Sequence, residues 1–218
     1  MTKINWPKAT QHLAATDPVM QRILAGLGSE RLRSRGEPFT CLARSIVGQQ
    51  ISVKAADSVW ARLCGLLSQP TDRALEPQQL LALGLNIREA GLSANKVTYL
   101  LDLAGWFTAQ PTLSRQFDVM SDQEVIAMLT ARPGIGPWTA QMFLIFTLMR
   151  PDVFPVDDLG VIKAIERLYT EQLEPLSPDA KPSLRKKRAL AFSKRWAPYR
   201  TAATWLLWRS LDPVPVEY

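Results

Sequence analysis

Apolar residues recur at helical spacing along almost the whole chain. Leu42 and Ile46, then Val53, Ala56, Val59, Trp60 and Leu63, mark two consecutive helices over about 39–50 and 52–67. Val97, Leu100, Leu101 and Ala104 predict a third from Ser93 to Phe107. Ser121 followed by Glu124 is a capping box, in which hydroxyl and carboxylate each satisfy a backbone N–H of the other residue; the helix it opens should end near Leu129. Asp17-Pro18 sets a capping carboxylate before a proline at the first helical position, where a missing N–H costs nothing. Further helices are expected over 138–148, 158–170, 184–195 and 199–211. No segment alternates apolar and polar residues as a half-buried strand does, and no Asn-Gly or Asp-Gly marks a hairpin turn. The predicted fold class is therefore all-α. The proline-bearing stretch from Glu174 to Pro182 reads as a loop, and no internal repeat is evident.

Composition narrows the chemistry. The 218 residues suit one large domain or two small lobes on a shared core, and 47% hydrophobic with 21% charged residues is an ordinary globular balance. No apolar run approaches the about 18 residues a membrane span needs, and the start MTKINWPKATQHL has no apolar secretory segment. The expectation is a cytoplasmic protein with no membrane partner. The two cysteines, Cys41 and Cys64, cannot build a four-cysteine iron–sulfur cluster or a structural zinc site, and read as buried thiols of a reducing compartment. The single histidine, His12, leaves little room for Ser–His or Cys–His chemistry. The net charge of +6 permits a polyanionic partner without requiring one. It is concentrated from Lys181 to Arg200, with eight Lys/Arg and no Asp or Glu, and at Arg22, Arg31, Arg33 and Arg35. Such a run is equally a solvated helix face.

The most specific local pattern is the run from Leu129 to Ala140, in which Pro133-Gly134-Ile135-Gly136-Pro137-Trp138 separates two helices. Glycines let the backbone turn tightly and approach another molecule, and the N–H groups opening the next helix can hold a phosphate. This is a helix-hairpin-helix arrangement, although an ordinary helix–helix turn with glycine caps has the same signature. Downstream, Pro155-Val156-Asp157-Asp158-Leu159-Gly160-Val161 opens another helix.

The hairpin and the later aspartate together resemble the helix-hairpin-helix DNA glycosylase superfamily. Its pattern is a PG(V/I)G turn, then an aspartate with an aliphatic residue three positions on. Val161 fills that slot for Asp158, whereas Gly160 would fill it for Asp157. The resemblance therefore assigns Asp158 the catalytic role, and Asp157 reads as the N-cap; both aspartates as caps is the alternative. Within the superfamily the chain is similar to DNA-3-methyladenine glycosylase II of the AlkA type, in a short form lacking the N-terminal β-containing domain. The similarity runs from about Pro38 to Trp208. It includes Leu42-Ala43-Arg44-Ser45-Ile46-Val47-Gly48-Gln49-Gln50-Ile51-Ser52, Gly91-Leu92-Ser93 with Lys96 and Tyr99-Leu100, and Trp196-Ala197-Pro198-Tyr199-Arg200-Thr201 with Trp208.

The resemblance implies two helical lobes, 37–149 and 1–36 plus 150–218, with an active-site cleft between them holding Asp158. It implies a double-stranded DNA partner containing damaged bases, and hence a bacterial, nucleoid-associated location. The damaged nucleotide is flipped out of the stack, and an intercalating wedge fills the gap. The wedge position falls on Gln50, with Gln49 beside it, where the AlkA type has an apolar residue; a polar helix end is the plainer reading. Trp138 and Trp208 match aromatics of the base pocket, where an indole face would attract a cationic methylpurine. The alternative places them in the core, where Trp60, Trp106 and Trp196 are expected. Trp205 fits either place. Met142 stands where the AlkA type carries an aromatic and would reshape the pocket. The amides of Gly134, Gly136 and Trp138 are the implied phosphate donors. The carbonyls of Thr130, Arg132 and Ile135 are the implied ligands of a structural Na+ or K+, with no other cofactor required. Bifunctional members place a Schiff-base lysine in the slot of Trp138, so no lyase activity is expected.

The implied substrates of hydrolysis are alkylated purines, 3-methyladenine first, with 7-methylguanine, 1-methyladenine, ethenoadenine and hypoxanthine as further candidates. Three readings compete with this one: a non-catalytic helix-hairpin-helix DNA-binding protein, a glycosylase for another lesion such as an oxidised or deaminated base, and a general helical interaction domain. Nothing in the sequence suggests a coiled coil, and a monomer is the default.

Overall fold

A computed structural model describes residues 2–177 and 179–211, and every regular element among them is helical. In chain order the α-helices are α1 (Trp6–Thr16), α2 (Pro18–Gly26), α3 (Pro38–Gly48), α4 (Val53–Leu66), α5 (Pro77–Leu83), α6 (Ala94–Ala109), α7 (Leu113–Val119), α8 (Asp122–Thr130), α9 (Pro137–Phe146), α10 (Leu159–Leu168), α11 (Pro182–Ser193) and α12 (Arg200–Leu211). Short 3-10 helices span Gly84–Ala90 and Lys194–Trp196. The described residues divide into two units, Ser34–Leu148 and Thr2–Arg33 with 149–211.

In the first unit, α3 begins where both oxygens of Glu37 accept N–H groups, from Phe39 at 3.0 Å and Thr40 at 2.9 Å. The helix then buries Phe39, Leu42, Ala43, Ile46 and Val47, one stripe at helical spacing. Ser93 caps α6, which buries Val97, Leu100, Leu103, Ala104 and Phe107. The capping box of Ser121 and Glu124 opens α8. α9 has no polar face: Thr139, Ala140 and every residue from Met142 to Phe146 are buried, as expected of a helix enclosed by neighbours. It packs on α8 and α3, and Phe143 meets Phe117 edge-on at 5.1 Å. Cys64 is buried, but Cys41 is only partly so, with its thiol on the Arg35 carbonyl. Burial pushes both thiols above their usual range.

In the second unit, α10 and α12 pack on one another around Val161, Ile162, Ala164, Ile165, Ala202, Ala203, Leu206 and Leu207, and α1 and α2 close the same core. A buried carboxylate ties these pieces together. Asp17 caps α2 through Oδ1, which accepts the N–H groups of Val19 and Met20. Its Oδ2 accepts the Tyr169 hydroxyl at 2.8 Å and the Trp196 indole N–H at 2.9 Å. Four donors replace the water the carboxylate has lost, which is what makes a buried charge tolerable. Burial and this carboxylate together push the Tyr169 hydroxyl well above the usual phenol range.

Trp60 and Trp196 are core residues as expected, but Trp106 is only half-buried. Its ring lies edge-on to Phe107, with the Arg132 guanidinium over it. Trp205, partly buried, packs edge-on against Trp6 at 5.1 Å.

Candidate active site

The second unit carries the carboxylate. Asp158 is half-buried and is itself the N-cap of α10: its Oδ1 accepts the Val161 N–H at 2.9 Å. This corrects the sequence expectation, which gave the cap to Asp157. Asp157 is exposed and instead pairs with Lys186 of α11 at 2.5 Å. One residue therefore serves as cap and as candidate catalytic group, because its backbone is extended at φ −79° and ψ 112° while its side chain folds back over the first turn. The same Oδ1 accepts the indole N–H of Trp208 from α12 at 3.0 Å. Gly160 makes room for this bond, since a Cβ there would lie 3.1 Å from Asp158 Oδ1 and 3.5 Å from the Trp208 ring. Trp208 thus orients the carboxylate, a role the sequence does not announce. The helix start adds favourable potential for a negative charge. Further bonds tie the frame around the pair. Arg200 grips Asp152 through two bonds of 2.8 Å, and the Thr201 hydroxyl donates to the Arg150 carbonyl while accepting the Val153 N–H.

The basic run in this unit is largely committed internally. Arg185 and Arg188 share Glu166, Lys186 holds Asp157, Arg195 binds Gln172 and Arg200 holds Asp152. Among the described residues, the charges of the run left without an acidic partner are those of Lys181, Lys187, Lys194 and Arg195, all of them exposed, since the Gln172 amide that Arg195 binds is neutral.

The first unit carries the hairpin. The turn between α8 and α9 closes on itself, with the Ile135 N–H donating to the Arg132 carbonyl at 3.2 Å. Gly134 stands at φ +80°, and a Cβ there would lie 2.3 Å from the ring of Tyr99. Only glycine fits both the backbone and the ring. Gly136 is the N-cap of α9, which has no side-chain cap, Pro137 is its first residue, and Trp138 follows half-buried. Backbone N–H groups rather than a side chain therefore open this helix, as an anion site requires. Met142 lies one turn beyond Trp138 and is buried.

Thr130 ends α8, Arg132 and Ile135 lie in the turn, and the Arg132 side chain is turned back toward Asp102 and the Trp106 ring. Their carbonyls are neutral oxygen donors, a set that suits a hard monovalent cation better than a transition metal.

The two glutamines part company. Gln50 is exposed in the α3–α4 turn at φ +58°, followed by Ile51 and Val53, each 40% exposed. Gln49 turns the other way and donates its side-chain amide to the Gly134 carbonyl at 2.8 Å. Beneath it the Lys96 ammonium donates to the carbonyls of Val47 and Gln49 at 2.8 and 2.7 Å. Sequence reasoning marked Lys96 and Tyr99 as part of a resemblance, without a task; both support the hairpin and its neighbouring turn.

Known proteins share this fold. Residues 43–187 match the model of the HhH-GPD superfamily of base excision DNA repair proteins. DNA-3-methyladenine glycosylase 1 of Schizosaccharomyces pombe is 31% identical over 211 residues, covering 93% of this chain and 86% of that protein. The structure of that yeast enzyme in complex with abasic DNA superposes with a TM-score of 0.72 over 93% of this chain and 96% of the other, at 30% identity. A DNA-3-methyladenine glycosidase from Bacillus halodurans gives a TM-score of 0.77 at 30% identity, over 96% of this chain and 91% of the other. This chain belongs to the HhH-GPD superfamily of base excision DNA repair proteins.

Proposed function

We propose that the protein is a monofunctional DNA glycosylase that hydrolyses the N-glycosidic bond of alkylated purines, 3-methyladenine first among them, in duplex DNA. The observation that carries this reading is Asp158, whose Oδ1 is held by two N–H donors, the Val161 amide and the Trp208 indole. A methylated purine cation leaves with the bonding electrons of its C1′–N bond and needs no acid. The sugar left behind becomes oxocarbenium-like. A fixed carboxylate stabilises that charge and accepts the proton of the water that attacks C1′. The paired carboxylates of ordinary glycosidases are therefore not required. The Trp208 bond sets the carboxylate before the charge develops, so little reorganisation remains for the chemical step.

The hairpin supplies the grip. The amides of Gly134, Gly136 and Trp138 would hold a phosphate, and the carbonyls of Thr130, Arg132 and Ile135 would hold a Na+ or K+ whose charge adds to that hold. Gln50 is the wedge on this reading, because it is the exposed glutamine of the pair. Strand cleavage needs an amine nucleophile. Trp138 occupies the slot where bifunctional members carry lysine, and Lys163 lies exposed along α10, so the reaction stops at the abasic site.

The test is release of free methylated purines from alkylated duplex by the wild type and by Asp158→Asn. Asparagine keeps an oxygen for both N–H donors and removes the charge, so fold and DNA binding persist. Release should fall by at least about a hundredfold. A wild type that binds DNA but frees no base would make the protein a DNA-gripping module without catalysis.

A further inference from the structure

We propose that Gln49 and Lys96 are positioning residues that couple the exposed α3–α4 turn, with Gln50 at its tip, to the hairpin between α8 and α9. The proposal rests on the glycosylase reading. The chain of contacts is continuous. The Gln49 side-chain amide donates to the Gly134 carbonyl at 2.8 Å, so the residue next to the wedge is bonded to the residue at the crown of the hairpin. The Lys96 ammonium donates to the Val47 carbonyl at 2.8 Å and to the carbonyl of Gln49 itself at 2.7 Å. It thereby caps the last turn of α3, where carbonyls would otherwise lack partners. Tyr99, one turn after Lys96 on α6, lays its ring against Gly134. One helix face thus braces both the end of α3 and the crown of the hairpin.

The backbone says why a brace is needed. Gln50 sits at φ +58°, a left-handed conformation that non-glycine residues rarely adopt. Such a conformation persists when its surroundings over-determine it. Here the peptide before Gln50 is fixed on both sides, by Lys96 at the Gln49 carbonyl and by Gly134 at the Gln49 side chain. The Gln50 side chain has no hydrogen-bond partner among the described residues and is left for whatever lies outside the protein. Partial removal of the Lys96 ammonium from solvent lowers its pKa below that of an ordinary lysine, and the two carbonyl acceptors oppose that loss by favouring the charged form. The consequence is a fixed offset between the amides that grip a phosphate and the side chain that enters the stack. Binding at the hairpin then delivers Gln50 at a set depth.

The experiment is a double-mutant cycle on base release from methylated duplex, with undamaged-duplex affinity and thermal melting as companions. Gln49→Met keeps the side-chain length and removes the donor. Single-turnover release should fall roughly three- to tenfold, the worth of one neutral hydrogen bond, while undamaged duplex binds as before. In a Gln50→Ala background the same change should cost nothing more, since the tether acts only through the wedge. Lys96→Met should behave as Gln49→Met does, and Lys96→Arg, which keeps the donors, should recover most of the rate. Additive losses in the double variant, or early melting with lost duplex binding in Gln49→Met, would mark an ordinary structural bond and overturn the coupling alone. Absence of any release by the wild type overturns the glycosylase reading, and the coupling with it.

Discussion

The contact between Asp158 and Trp208 places two demands on one side chain. An indole can present its face to a cationic base and its edge N–H to a carboxylate, and here the edge is already engaged at 3.0 Å. Trp208→Phe separates the two tasks, because phenylalanine keeps an aromatic face and loses the donor. A hydrogen bond to a charged group is worth about 1.5–3 kcal/mol, so kcat/KM should fall about tenfold or more if the bond orients the carboxylate. Thermal melting should change little, since Trp208 is only half-buried. Unchanged kcat/KM would show that the Val161 amide suffices to hold Asp158. Both residues were visible in the sequence as isolated motif positions. Their bond was not, because it joins residues 50 apart, and neither was the space that Gly160 leaves for it. The neighbouring aspartate shows the opposite failure. Adjacent carboxylates before a helix look interchangeable, and only the backbone at φ −79° and the Lys186 partner separate cap from ion pair.

At the scale of elements, helices marked by a run of apolar spacing or a clear cap are legible, whereas α1 (Trp6–Thr16), α5 and α7 are not read from the sequence. α3, α4, α6 and α12 begin and end within about two residues of where spacing and caps place them, the usual uncertainty of helix ends. α5 and α7 have seven residues each, and bury only Leu80 in one and Leu113 with Phe117 in the other, too few positions to establish a period. The basic run misleads for a related reason. Its counter-charges, Asp152, Asp157 and Glu166, lie on earlier segments, so a local count of charge overstates what remains exposed. The hairpin is the element whose local and tertiary demands coincide, and a prediction belongs there. Gly134→Ala would place a methyl 2.3 Å from the Tyr99 ring on a backbone at φ +80°. The left-handed conformation alone costs about 1–2 kcal/mol, and the ring must move as well. Duplex binding should weaken at least about tenfold, with the greater loss at low salt, where phosphate contacts contribute most. Titration of a labelled undamaged duplex reads this directly. An alanine variant of native affinity would mean that the hairpin is not where the backbone of DNA is held.

For the molecule as a whole, the groups that burial perturbs make stability depend on alkaline pH. Cys41 and Cys64 have thiols raised above 9.0, and Tyr169 has a hydroxyl raised above 10.0, in each case chiefly by burial. For each of these groups the folded state keeps its proton to higher pH than the unfolded chain does. Between the unfolded and folded pKa values the unfolded chain therefore binds fewer protons, and stability falls as pH rises. Lys96 acts in the other direction. Its folded pKa lies below 10.5, so the unfolded chain holds the extra proton and stability rises through that window. Three groups oppose one, and Tyr169 is the most strongly shifted of them, facing the Asp17 carboxylate that also receives Trp196 and caps α2. Denaturant unfolding at pH 7, 9 and 10.5 should therefore show a stability that is level to about pH 9 and declines beyond it. Tyr169→Phe should start lower at pH 7, by about 1–3 kcal/mol, because the buried Asp17 loses a donor. It should then decline less steeply above pH 10, since the group responsible for most of the slope is gone. Parallel slopes for wild type and variant would place the alkaline sensitivity on the thiols, and a Cys41→Ser, Cys64→Ala protein would then carry the flattened curve instead.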